Sequence, residues 1–307
     1  MSSDAIAIQT TEATGQPWVQ ILHEWVTTVD HKRLGILYIL YALVFLVVAG
    51  IEAIIMRVQL MRPHNDFVSP QVFNRMFTMH GTTMIFFVAM PILFGFGNYL
   101  VPLMIGARDM AFPRLNAFSF WLMAFGGFLL YFSFIGGNGL YGAGNAPDVG
   151  WWAYAPLASR AFSPGHSSDY WTIALLASGF GSIGTAINII ATIISMRCPG
   201  MKLSRMPLLA WMNLVMSGMV LLAITPLSAA QLMLLVDRYL GGHFFDTQAG
   251  GLGHAVDALL LDFWTSRGVC PDHPLLCNLP LKLFQCFRAS QSSDTPLWWA
   301  PRFALLL

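Results

Sequence analysis

The residues best able to do chemistry in this sequence are polar side chains inside or beside long apolar runs. His80 stands near the start of one run, in Met79-His80-Gly81. An imidazole at membrane depth is costly and is therefore a functional candidate. Gly81 removes a side chain beside it, which lets a planar cofactor approach; the alternative is a histidine hydrogen-bonded to a neighbouring helix. Arg57 closes the preceding run, where its guanidinium either reaches the headgroups or meets a polar group of a cofactor.

A second set of polar side chains collects toward the opposite ends of these runs. On a helix, at 100° per residue, Ser178 and Asn188 are separated by about 80° and share one broad polar face with Ser182. Hydroxyls and amides on such a face either line a file of water that conducts protons or hold helices together. The whole set is Asn98, Asp109, Asn116, Ser178, Ser182 and Asn188.

Five membrane spans are needed to position these side chains. The chain has 307 residues, of which 56% are hydrophobic and 10% are charged, a balance too apolar for a soluble domain. A helix crosses the hydrocarbon with about 20 mostly apolar residues, because its backbone groups must pair internally in lipid. The sequence predicts an all-α, polytopic transmembrane helix bundle. Five runs meet this test: 34–56, 77–100, 117–136, 170–196 and 208–236.

Charge and cysteine spacing exclude other classes. The formal net charge is +1 without a basic cluster, so nucleic acid is not expected as a partner. Lys and Arg slightly favour the loops on the side of the N-terminus, which predicts that residues 1–33 are a cytoplasmic segment. That segment has no apolar core before a cleavage site, so no cleaved signal peptide is expected. The four cysteines show no metal-binding spacing; they are Cys198, Cys270, Cys277 and Cys286.

Aromatic side chains mark the longest connection, residues 137–169. Trp151, Trp152 and Tyr154 lie in this Gly-rich segment, and Trp171 follows it closely. Trp and Tyr are typical of the membrane–water interface, so we expect this connection on the outer side.

Local motifs, in their order and spacing, resemble subunit I of the haem-copper oxidases, and of cytochrome c oxidase in particular. The longest motif, residues 96–116, reads FGNYLVPLMIGARDMAFPRLN. The others are VDHKRLG at 29–35, MHG at 79–81 and MRCPGM at 196–201. The resemblance runs from about Trp18 to Gly251, ending in DR at 237–238, FFD at 244–246 and GG at 250–251.

The resemblance implies a haem site. His80 matches one of two axial histidines of the low-spin haem A, and ligation by two histidines confines a haem to electron transfer. Arg57 matches the arginine that bonds the formyl group of that haem. Trp151 and Tyr154 match an aromatic segment that lies over the haems.

The resemblance also implies a proton-uptake path. Asp109 matches the acid at the mouth of the D channel, where a carboxylate can collect protons. The residues along the path are Asn98, Asn116, Ser178, Ser182 and Asn188. Two residues depart from the family pattern: Ala117 replaces a second Asn, which bears on pumping, and Gln59 replaces an acid near an outer cation site.

The implied function is that of a respiratory terminal oxidase. Electrons from cytochrome c reduce oxygen to water at a haem–copper pair while protons are pumped, with subunits II and III as partners. The expected location is a bacterial inner (plasma) membrane, with the mitochondrial inner membrane as the alternative. Copper and the high-spin haem are expected for the full-length family of twelve spans only. Two other hypotheses stay open: a catalytically inactive truncated fragment, and a five-helix channel or transporter, against which residues 96–116 argue.

The resemblance stops near Gly251. The family continues with a sixth span containing Gly-His-Pro-Glu-Val, whose His binds copper, but residues 252–269 do not read as a span. One permitted set of codons for this stretch, read one base later, encodes that motif. We therefore predict a frameshift near Gly251: residues 34–251 are the N-terminal part of the oxidase domain, and 252–307 are an out-of-frame tail. His254, His273 and the tail cysteines are then not metal ligands.

Overall fold

Long helices make up the fold of the described residues, which are 18–137, 145–154 and 157–245 of a computed structural model. A π-helical segment, Thr83–Ala89, joins the helices Pro70–Thr82 and Met90–Ile105 in a single span, and a short 3₁₀ turn, Leu203–Arg205, precedes the last helix. The predicted tail, 252–307, lies outside the described residues. The α-helices are α1 (Trp18–Val26), α2 (His31–Gln59), α3 (Pro70–Thr82), α4 (Met90–Ile105), α5 (Pro113–Gly136), α6 (Ser167–Ser195) and α7 (Leu208–Tyr239).

The predicted spans are confirmed. Among the described residues, five helices, of 24 to 36 residues, are long and apolar enough to cross a membrane. They correspond to α2, the joined α3–α4 span, α5, α6 and α7, so the chain is a multi-pass membrane protein. Successive spans reverse direction. We call the two ends of the bundle the His31 side and the Gln59 side, after the first and last residues of α2.

Local sequence sets where several helices begin and end. The Asp30 carboxylate accepts from the backbone N–H of Lys32 and caps α2. Ser69 accepts from Val72 in the same way, and Pro70 occupies the first turn of α3. Gly106 ends α4 with a φ of 74°, a left-handed conformation that glycine adopts without strain.

Glycines bring two helix pairs into close contact. A Cβ on Gly35 would lie 2.9 Å from the carbonyl oxygen of Gly95, so α2 and α4 touch through their backbones. A Cβ on Gly126 would lie 2.6 Å from the carbonyl oxygen of Ala174, where α5 meets α6. Small residues at helix contacts are the usual device for tight packing in membranes.

One aromatic residue departs from the interface prediction. Trp171 is 1% exposed and its indole N–H donates to the hydroxyl of Thr82, 2.9 Å away. The interface prediction for Trp171 is therefore wrong, because the residue is buried inside the bundle, where its indole meets Thr82 of α3.

Candidate functional site

The His80 imidazole is held by one hydrogen bond to the backbone of α2. Its Nδ1 lies 2.9 Å from the carbonyl oxygen of Ala49. A carbonyl can only accept, so Nδ1 carries the proton and Nε2 keeps its lone pair. This is the arrangement in which protein histidines bind metal ions, with the second nitrogen fixed by a hydrogen bond.

The loop before α6 is attached to the helix turn that carries His80. The Thr78 hydroxyl accepts from the backbone N–H of Gly150, 2.9 Å away. A Cβ on Gly81 would lie 3.1 Å from the Trp151 side chain, so the indole covers this glycine. The side of Gly81 that was expected to admit a cofactor therefore holds Trp151. Tyr154 is exposed at the end of the same aromatic segment.

Arg57 is not brought into contact with His80. It is exposed in the last turn of α2, eight residues beyond Ala49. At 1.5 Å per residue, its Cα lies about 12 Å further toward the Gln59 side. The geometry leaves its predicted role open, since both a headgroup and a polar group at the edge of a cofactor lie within the range of a long side chain.

Two threonines beside His80 were missed in the sequence. Thr82 accepts from Trp171 of α6, and Thr83 hydrogen-bonds the hydroxyl of Tyr131 on α5, 3.0 Å away. The π-helical segment begins at Thr83, and such segments are frequent at functional sites. Two adjacent threonines directly after Gly81 were the signal in the sequence, but the neighbouring residues do not reveal that Trp171 and Tyr131 are their hydrogen-bond partners.

Asp109 pairs with a histidine that sequence reasoning did not select. Its Oδ1 lies 3.2 Å from Nδ1 of His31, and the same oxygen accepts from the N–H of Met110 at 2.7 Å. The carboxylate is partly exposed, whereas the imidazole is buried. Nε2 of His31 is buried and has no hydrogen-bond partner among the described residues. The pair joins the surface on the His31 side to the interior.

Further polar groups continue inward from this pair. Tyr38, two turns along α2 from His31, is fully buried and hydrogen-bonds the hydroxyl of Thr185 at 2.9 Å. Asn98 and Asn116 are also fully buried, and within the described part of the chain neither amide nitrogen nor amide oxygen has a partner. Leaving such groups unpaired costs about 1–3 kcal/mol each, so polar sites of this kind usually bind water.

Ser178 and Ser182 make a local contact on α6, whereas Asn188 bonds the loop before α5. The Asn188 amide accepts from the N–H of Phe112 at 2.9 Å and donates to its carbonyl at 3.2 Å. The Ser182 hydroxyl donates to the Ser178 carbonyl at 2.8 Å. The Asn188 contact is the helix-bridging kind, and it holds the loop that carries Asp109. A part in proton transfer stays a prediction for all three.

Gln59, one of the two departures, cross-links its own loop. Its amide donates to the carbonyl of Asn65 and accepts from the N–H of Val68 at 2.8 Å. Asn65 in turn donates to the carbonyl of Val58 at 2.8 Å. The amide therefore joins the loop to the end of α2 through direct hydrogen bonds.

Known proteins similar to this chain form a consistent set. The family model described as cytochrome C and quinol oxidase polypeptide I matches residues 33–267. Cytochrome c oxidase subunit 1 of Bacillus sp. strain PS3 is 47% identical over 234 residues, which cover 75% of this chain and 36% of that protein. Quinol oxidase subunit 1 of Bacillus subtilis strain 168 is 44% identical over 235 residues, covering 76% and 35%. The probable cytochrome c oxidase subunit 1-beta of Nocardia farcinica is 46% identical over 230 residues, covering 75% and 38%. The chain thus spans little more than a third of the length of these relatives.

Proposed function

We propose a function for this chain from one premise: it belongs to the cytochrome c and quinol oxidase polypeptide I family. The proposal is that it supplies part of subunit I of a respiratory terminal oxidase, which passes electrons to oxygen and pumps protons. The observation that carries the proposal is the His80 imidazole, oriented by the Ala49 carbonyl with its Nε2 lone pair available.

His80 fits the role of an axial ligand to a low-spin haem. A bound haem of this type supplies one-electron transfer. In this chain the Ala49 carbonyl holds the imidazole in the tautomer that ligation requires. Gly81 follows His80 directly, and Trp151 packs on it, so the indole shields one side of this helix turn from water. Arg57 and Tyr154 would help to hold that haem; a second histidine ligand, copper and the high-spin haem are expected for the full-length family only.

Asp109 and His31 are proposed to collect protons from the His31 side. The partly exposed carboxylate takes a proton from water, and the buried imidazole beside it passes one inward from Nε2. The unpaired amides of Asn98 and Asn116 are suited to holding water along the way. Ser178 and Ser182 are proposed to extend the route, and Asn188 to hold its entrance loop.

The finer assignments follow from the relatives' names. Cytochrome c is the proposed electron donor, and quinol is the alternative, because relatives of both names match at similar identity. Subunits II and III are the proposed partners, as the family resemblance implies. A bacterial plasma membrane is the proposed location, because the relatives are bacterial. The second candidate function is a catalytically inactive membrane fragment, which the predicted shift near Gly251 favours.

Haem binding by the purified chain tests the proposal. We expect haem A added to the chain in detergent to give the Soret shift of a histidine-ligated haem, and His80→Ala to abolish it. His64→Ala is the matched control, because His64 is an exposed loop histidine on the same side. Equal spectra for His80→Ala and the native chain contradict the ligand assignment. Oxygen uptake by membranes supplied with reduced cytochrome c then separates an active oxidase from the inactive fragment.

A further inference from the structure

The face of α7 that packs against α6 carries three polar side chains, together with Leu234, in its half nearest the Gln59 side. Ser228, Gln231 and Arg238 are 5%, 5% and 4% exposed. Their spacings of three and seven residues place them on one face of the helix. From Ser228 to Arg238 the helix rises about 15 Å, which is about half of the hydrocarbon thickness.

Two contacts show how this face meets α6. A Cβ on Gly179 would lie 2.5 Å from the Ser228 hydroxyl oxygen, so the hydroxyl rests against the α6 backbone. Arg238 Nε donates to Asp169 Oδ1 at 2.5 Å. The two pairs are ten residues apart on each helix, so the antiparallel helices keep one register between them.

Polar atoms along this interface have no protein partner. Ser228 Oγ and Gln231 Oε1, one helix turn apart, are buried and unpaired within the part of the chain that the structure describes. Buried polar atoms are nearly always hydrogen-bonded, and water supplies the bond where protein does not. Two such atoms on one face of α7 are better explained by shared water than by two separate unpaired groups.

An ion pair closes this interface toward the Gln59 side. The Arg238 guanidinium also donates to the carbonyls of Ala158 at 2.7 Å and Ser163 and Gly165 at 3.0 Å. Asp169 further accepts from the Tyr239 hydroxyl at 2.5 Å. These bonds join α7 to α6 or to the loop before it, so the cluster lies between the two unpaired atoms of α7 and the Gln59 side.

We propose that α6 and α7 enclose a water-binding cleft, lined by Ser228 and Gln231 and closed by the Asp169–Arg238 ion pair. The cleft holds water through hydroxyl and amide groups and exchanges it with the Gln59 side when the pair opens. This inference does not depend on haem binding or on catalysis.

Cysteine accessibility tests the cleft in the full chain. The four native cysteines are replaced by serine, and Ser228→Cys or Gln231→Cys is introduced in membrane vesicles. A water-soluble methanethiosulfonate reacts with the thiolate, which forms only where water reaches, so we expect rates about tenfold above those of Ile224→Cys. Ile224 is the matched control because it is 1% exposed on the same helix. Equal rates at all three positions overturn the proposal.

Opening the closure gives a second readout. Asp169→Asn weakens the pairing with Arg238, and we expect it to raise the rate at Gln231→Cys about tenfold without changing the rate at Ile224→Cys. A rate at Gln231→Cys that Asp169→Asn leaves unchanged contradicts the closing role. Thermal unfolding of Ser228→Ala checks for a dry interface: a higher midpoint than that of the native chain overturns the proposal, because removing an unhydrated hydroxyl stabilises.

Discussion

Replacing Asn188 with alanine removes the clamp on the loop that carries Asp109. The amide makes two hydrogen bonds with the backbone of Phe112, at 2.9 and 3.2 Å. A net hydrogen bond contributes about 1 kcal/mol, and about 0.6 kcal/mol in membrane bundles. The variant also leaves the Phe112 N–H unpaired, at about 1–3 kcal/mol, whereas the Phe112 carbonyl still accepts from the N–H of Asn116 at 3.0 Å, so we expect a total loss of about 2–4 kcal/mol.

Reversible unfolding in mixed dodecyl sulfate micelles measures this loss. Thr192→Val removes two contacts with the same loop, the bond from the N–H of Ala111 at 2.9 Å and the one to the Met110 sulfur at 3.7 Å, and we expect a loss of about 1–3 kcal/mol. Thr225→Val is the matched control, because its exposed hydroxyl bonds only its own helix at Leu221 and we expect no measurable change. Hydrogen exchange at Phe112 should quicken in Asn188→Ala. An unchanged free energy of unfolding in Asn188→Ala would refute the clamp.

Three further predictions concern packing and the reading frame. Gly126→Ala places a methyl 2.6 Å from the Ala174 carbonyl oxygen, so we expect a loss of about 1–3 kcal/mol in the same unfolding assay. Gly81→Ala pushes on Trp151, since its methyl would lie 3.1 Å from that side chain, and we expect acrylamide to quench tryptophan fluorescence more strongly. An unchanged unfolding curve or unchanged quenching contradicts the respective prediction. Resequencing the DNA across codons 250–269 is expected to reveal a one-base shift that restores Gly-His-Pro-Glu-Val. The family model matches this chain as far as residue 267, which is past Gly251.

The sequence predicted the spans well because the constraint on them is local. Apolar length and internal backbone pairing decide whether a segment crosses the bilayer, and both are visible within one run. The run 208–236 became α7, Leu208–Tyr239, and the run 34–56 became α2, His31–Gln59. The missed features all depend on distant partners. His31 meets Asp109 across 78 residues, and Trp171 is buried because Thr82 faces it across 89.

One helix fixes both candidate sites. α2 presents His31 at one end and, eighteen residues later, the Ala49 carbonyl that orients His80. At 1.5 Å per residue these points are about 27 Å apart, nearly the hydrocarbon thickness. Each imidazole is anchored through Nδ1, but the neighbours differ. A carboxylate can gain and lose a proton, so its place beside a buried ring suits proton transfer, whereas a carbonyl can only fix the tautomer of the ring, which suits ligation. The group that pairs with Nδ1, a carboxylate for His31 and a carbonyl for His80, therefore separates the two proposed roles.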